Sequence, residues 1–129
     1  MDTDARRSAL NATSEGIIGG AYEVGNELGC GFVEKVYENA MVVELRLRGM
    51  DVRQQYPIKV LYKEELVGDY IADLLVADHV LVELKAVKAL DDVHLAQCMN
   101  YLKATGLSLG LLINFGRPKV QVKRVVNNF

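Results

Sequence analysis

The chain has 129 residues, half of them hydrophobic and a quarter charged, with a formal net charge of −2. That length is expected to form one domain over residues 1–129, and the composition excludes a disordered or fibrous chain. The near-neutral balance also excludes the uniformly basic surface of many nucleic-acid-binding domains, although Arg117, Lys119, Lys123 and Arg124 make one local basic stretch and Asp2, Asp4 and Glu15 make the beginning partly acidic.

Leu10, Ile17, Val24 and Leu28 recur at helical spacing, so a helix is expected from Ala5 to about Leu28. Its glycines at 16, 19, 20 and 25 each cost ~1 kcal/mol relative to alanine inside a helix and call for close packing. Gly29-Cys30-Gly31 interrupts the pattern. A second helical run from Phe32 to Leu47 follows, with Gly49 as its C-terminal stop. Val52 to Tyr62 and Gly68 to Val76 are rich in β-branched and aromatic residues and flank Lys63-Glu64-Glu65, which predicts a hairpin.

Val80 to Val87 reads as a third strand near the sheet centre, after the short connection Ala77-Asp78-His79. Asp91 and Asp92 suit a helix N-cap and first turn, with helical character to Ala104 and a stop at Thr105-Gly106. Leu107 to Phe115 is a near-continuous apolar strand, and Val120 to Val126 suggests a last one after the Gly116-Arg117-Pro118 turn. The order predicts an α/β sandwich: the first three strands antiparallel, the strand after the late helix parallel to its predecessor through a right-handed crossover.

Cys30 and Cys98 form neither a disulfide framework nor a zinc cluster, and both are expected to be reduced and buried. The first ten residues lack an apolar core followed by a cleavage site, and no apolar run approaches the ~18 residues of a membrane span, so a cytoplasmic protein is expected. A phosphate loop of the GxxxxGK[ST] type is absent from the sequence.

Polar residues in two apolar strands carry the chemistry. Alternation puts Val80, Val82, Leu84 and Ala86 on one side of the third strand and Leu81, Glu83, Lys85 and Val87 on the other, so a carboxylate and an ammonium sit in a strand that is otherwise apolar. Asp73 is the same anomaly in the preceding strand. A three-residue connection at 77–79 would set it opposite Glu83. Asp73, Glu83 and the Leu84 carbonyl would suit Mg²⁺ or Mn²⁺, with Lys85 on a phosphate oxygen or the attacking water. The ordinary alternative pairs Glu83 and Lys85 with each other or with neighbours on a solvated face and leaves Asp73 accepting hydrogen bonds in the hairpin.

Asp73, nine intervening residues and then Glu83-Leu84-Lys85, in this element order, resemble the PD-(D/E)XK nuclease superfamily. Ala72 stands where the motif has proline. A narrower likeness spans nearly the whole chain: Gly31, Glu34 and Tyr37 fit GxxExxY, and the sequence resembles the GxxExxY group of that superfamily. The resemblance implies a restriction-endonuclease-like fold, a mixed central sheet flanked by helices with an α-β-β-β-α-β core, and a divalent-metal-dependent nuclease, with DNA favoured as the partner. It also implies that Glu34 helps hold metal or its water. Gln97 and Tyr101 form a QxxxY pair on one helix face; by resemblance Gln97 orients Lys85 or water and Tyr101 contacts phosphate. Tyr37 is expected to pack with its hydroxyl satisfied, His94 to be a hydrogen-bonded helix residue or a substrate contact, and Arg117, Lys119, Lys123 and Arg124 to track the nucleic-acid backbone. The alternative is a non-catalytic nuclease-fold binding or assembly module that keeps an ion site; a homodimer or a protein partner could supply target selection.

Overall fold

The computed structural model describes residues 3–129. The expected acidic residue Asp2 lies outside them. Helix α1 (Thr3–Leu28) and helix α2 (Glu34–Leu47) pack together on one face of a five-stranded sheet. Leu10, Ile17, Ala21 and Val24 of α1 are buried, and Tyr37, Met41, Val42 and Leu45 line the inner face of α2. Two helical glycines have a steric reason: a Cβ on Gly20 would come within 2.9 Å of Leu45 Cδ2, and one on Gly25 would overlap Val120. Small residues let α1 approach its neighbours, which offsets their low helix propensity.

The sheet runs in sequence order: β1 (Val52–Tyr62), β2 (Glu65–Val76), β3 (Val80–Lys85), β4 (Leu109–Asn114) and β5 (Gln121–Val126). Among the described residues the only parallel pair is β3 with β4, joined through α3 (Asp92–Thr105) on the opposite face from α1 and α2. This is the expected mixed sheet between helical layers. β3 and β4 are buried on both faces, as a near-continuous apolar run in a parallel pair requires. Leu74, Val82, Leu84, Leu111 and Ile113 pack toward α1 and α2; Ile58, Leu81 and Val125 pack toward α3 with Cys98 and Leu102.

Helix α3 carries both predicted stops. Asp91 accepts from the Val93 and His94 N–H groups, and Gly106 closes the helix in the left-handed conformation. Some boundaries differ from expectation. Lys63 and Glu64 both have positive φ, 49° and 69°, and make a tight two-residue turn, so Glu65 belongs to β2 rather than to the connection. β3 ends at Lys85, not Val87, because the Asn114 side chain takes both the Val87 N–H and its C=O. Cys98 is buried, but Cys30 is exposed: it stands between Gly29 and Gly31, both at positive φ, where neither neighbour has a side chain to cover it. Among the described residues no helix is long and apolar enough to cross a membrane.

The segment leaving β3 is clamped by a backbone-on-backbone contact. A Cβ on Gly116 would overlap the amide and carbonyl of Val87. Gly116→Ala is expected to cost about 1–3 kcal/mol in a denaturant titration, since backbone must move to admit the methyl group; unchanged stability would contradict the close approach.

Candidate functional site

The β2–β3 register runs Val76↔Val80, Leu75↔Leu81 and Leu74↔Val82, with Asp73 and Glu83 the next residue of each strand beyond the last pair. The ladder ends at Leu74. In its place Asp73 Oδ2 accepts the Leu84 N–H at 2.7 Å. The N–H and C=O of one strand residue point to the same side, and those of its neighbour point to the other. Lys85 C=O accepts from Phe115 N–H on the β4 side at 2.8 Å, so Leu84 turns its carbonyl, like its amide, toward β2 and Asp73. Two carboxyl groups and a main-chain carbonyl thus converge where β2 leaves β3.

Glu83 is only 5% exposed, and its Oε1 is buried without a hydrogen-bond partner. Burial, reinforced by the neighbouring Asp73, pushes its carboxyl up to about 9, against the opposing pull of Lys85. Burial also raises Asp73, although the Leu84 N–H and Glu83 favour its charged form. The pair therefore holds a proton at neutral pH. Among the described residues no ion pair joins Glu83 to Lys85, and Glu83 lies on no solvated face, so the ordinary explanation of its charge is not realised. The hydrogen-bonded Asp73 of that explanation is present.

Glu34, the first residue of α2, is exposed; partial burial raises its carboxyl, Lys85 lowers it and Asp73 raises it, which places it in the field of the strand site. Tyr101 of α3 is buried with its ring 5.6 Å from that of Tyr70, and burial followed by Glu83 raises its hydroxyl. Gln97 is exposed. With Tyr101 and Tyr70 it lines a groove of about 980 Å³ between α3 and the β1–β2 hairpin, and no hydrogen bond links it to Lys85 among the described residues. Tyr37 is a packing residue: its ring stacks on Phe115 at 4.6 Å, its hydroxyl donates to Gly29 C=O at 2.6 Å and accepts from Phe32 N–H. His94 completes the α3 capping box by accepting from the Asp91 N–H.

The basic segment does not form one surface. Arg117 and Lys119 are exposed in the β4–β5 connection, at the end of the sheet where β3 and β4 both finish. Register sets Lys123 beside Leu112, which is beside Glu83, so Lys123 shares that face two strands away. Arg124 turns to the opposite face, where it donates to Asn11 of α1 and lies 4.6 Å over the Phe129 ring. Strand alternation separates it from Lys123.

Sequence reasoning missed a second buried carboxylate. Glu38, 4% exposed on α2, accepts from Lys35 at 2.8 Å and from the side-chain amides of Gln54 and Gln55. Burial opposes its ionisation, but these donors outweigh burial and hold its carboxyl below the usual range. A charge in the inward register of a helix, and two successive glutamines in a strand, were the available signals.

Whether a divalent cation suits this site can be judged from its oxygens. An orphaned buried Oε1, a partly buried aspartate and a main-chain carbonyl are hard donors at one place. Among the described residues no three His, Cys, Asp or Glu side chains form a compact group. Donors of this kind fit Mg²⁺ or Mn²⁺ held by one or two carboxylates with water completing the shell. Asp73, Glu83 and the Leu84 carbonyl would hold such an ion.

The chain spans about half of a solved structure with which it shares the fold, the crystal structure of SSO0001: 74% of this chain and 51% of that one are covered, with a TM-score of 0.56 and 10% identity. A search of curated proteins gave no match. The sequence pattern of the PD-(D/E)XK nuclease superfamily matches residues 11–125, nearly the whole chain, from within α1 to within β5. The chain belongs to the PD-(D/E)XK nuclease superfamily, whose members generally use divalent metal ions.

Proposed function

We propose that this protein is a divalent-metal-dependent nuclease that hydrolyses phosphodiester bonds, using Mg²⁺ or Mn²⁺ and preferring DNA to RNA. The observation that carries this reading is the buried, unpartnered Glu83 oxygen beside Asp73, in a chain of this superfamily. A purely structural carboxyl would have both oxygens satisfied, whereas Glu83 meets Asp73 but leaves Oε1 without a partner, which supports it as a ligand.

Asp73, Glu83 and the Leu84 carbonyl hold the ion, and Glu34 completes its surroundings from the start of α2. A divalent ion bound there neutralises charge building on the phosphodiester and lowers the pKa of water. Lys85 follows Glu83 by two residues on the same face and orients the attacking water or binds a phosphate oxygen. Gln97 and Tyr101 support the site from α3: the Gln97 amide orients water or Lys85, and the Tyr101 hydroxyl contacts phosphate. Arg117, Lys119 and Lys123 contact the nucleic-acid backbone, Arg117 and Lys119 from the site's end of the sheet. The likeness of Gly31, Glu34 and Tyr37 to the GxxExxY pattern supports membership of that group. A cytoplasmic location and target selection by a homodimer or a protein partner complete the reading.

The test is cleavage of single-stranded DNA, duplex DNA and RNA with Mg²⁺ or Mn²⁺ and with chelator. Wild type is expected to cleave in an ion-dependent way, and Lys85→Ala to lose about 10²–10⁴-fold in rate while still folded. Activity unaffected by Lys85→Ala would reject the assignment, and ion binding with no cleavage of any substrate would establish the non-catalytic binding module instead.

A further inference from the structure

Strand β2, which carries Asp73, and its partner β1 both change faces at the level of Asp73. Residues an even number apart along a strand share a face. In β1, however, Val52 packs in the layer under α1 and α2, whereas Tyr56 and Ile58 pack under α3. β2 does the same: Ala72 lies in the α3 layer and Leu74 in the other. The register itself does not slip, since Gln54↔Leu74 and Tyr56↔Ala72 both hold, with Gln55 and Asp73 left between them without a ladder partner. Gln55 has φ +58°, a left-handed conformation that is unfavourable for any residue but glycine.

Strain in a strand interior persists only where the surroundings over-determine it. Here the surroundings are Glu38. Its two carboxylate oxygens each accept from Gln55 Nε2 at 3.0 Å, and Gln54 donates to it as well. A buried charge, a strained residue and a broken ladder position meet at one point, and each would be less favourable without the others. An apolar residue at 38 over a regular strand would be the easier structure, but it would keep Asp73 in the ladder. We propose that Glu38 is a positioning residue: by gripping Gln54 and Gln55 it holds the β1–β2 ribbon in the switched conformation that frees Asp73 to reach the Leu84 N–H and stand beside Glu83. Its consequence for ion binding rests on the reading under Proposed function; its consequence for Leu84 does not.

The test compares wild type with Glu38→Ala and Glu38→Gln, and reads amide hydrogen exchange in the metal-free protein together with Mn²⁺ binding by calorimetry. In Glu38→Ala, exchange at Leu84 is expected to rise at least about tenfold while Val82 and Leu111 stay protected. Mn²⁺ binding is expected to weaken about tenfold or more. Glu38→Gln keeps an acceptor oxygen for one amide and restores part of both. Should Glu38→Ala fail to fold, Gln55→Ala carries the same measurements, because alanine loses the Gln55 amide grip while the positive φ stays unfavourable. Leu84 protection unchanged in a folded variant, or exchange raised evenly across the whole sheet, would overturn the proposal. If wild type neither binds Mn²⁺ nor cleaves, the nuclease reading fails, and Leu84 exchange still decides whether Glu38 positions Asp73.

Discussion

Replacing Glu83 by glutamine is expected to abolish ion-dependent hydrolysis and, in the same molecule, to make the metal-free protein more stable at pH 8. An unfolded glutamate ionises near pH 4.5, whereas the folded one keeps its proton to about pH 9, held there by burial and then by Asp73. Between those values the unfolded chain releases a proton that the folded chain retains, so stability falls as pH rises, by at most about 1.4 kcal/mol per unit. Glutamine carries no such penalty. Glu83→Gln should therefore gain about 1–3 kcal/mol at pH 8 in a urea titration with chelator, with the gain vanishing toward pH 5. A variant less stable than wild type at pH 8 would contradict a buried, protonated carboxyl. Stability and activity moving in opposite directions is the mark of a group retained for a ligand.

The second large effect is on ion binding itself. A cation can occupy the Asp73–Glu83 pair only after the proton leaves, so affinity for Mg²⁺ should rise close to tenfold per pH unit between about pH 6 and 9 and level off above. The slope is set by Glu83, while Glu38, held below the usual carboxylate range by its donors, contributes none. Calorimetry at pH 7 in two buffers of different ionisation enthalpy should show about one proton released per ion. Affinity independent of pH from 6 to 8 would mean that the ion does not displace the Glu83 proton.

What the sequence disclosed follows from how local the controlling physics is. The caps of α3 at Asp91 and Gly106 are read within a few residues, and the apolar runs of β3 and β4 announce strands buried on both faces. That Asp73 lies near Glu83 followed from the short connection between the two strands. Interactions between distant segments were not legible. Val87 leaves β3 because Asn114, on another strand, captures its backbone, and Arg124 finds its partner in Asn11 of α1. The largest omission was the grip of Glu38 on Gln54 and Gln55. Nothing in a linear pattern tells that a strand will reverse its faces; the periodic reading of β1 presumes that it does not. That reversal lies next to Asp73, so the least legible part of the sheet is also the part that shapes the site.

The most direct test of the ion site is a crystal of the wild-type protein grown at pH 8 or above and soaked with Mn²⁺, with anomalous scattering used to locate the metal. The expected result is a peak about 2.0–2.6 Å from oxygens of Asp73 and Glu83 and from the Leu84 carbonyl, absent in Glu83→Gln. Hydrolysis by wild type with the metal bound elsewhere, or a saturating soak that leaves these three oxygens without a peak, would contradict it.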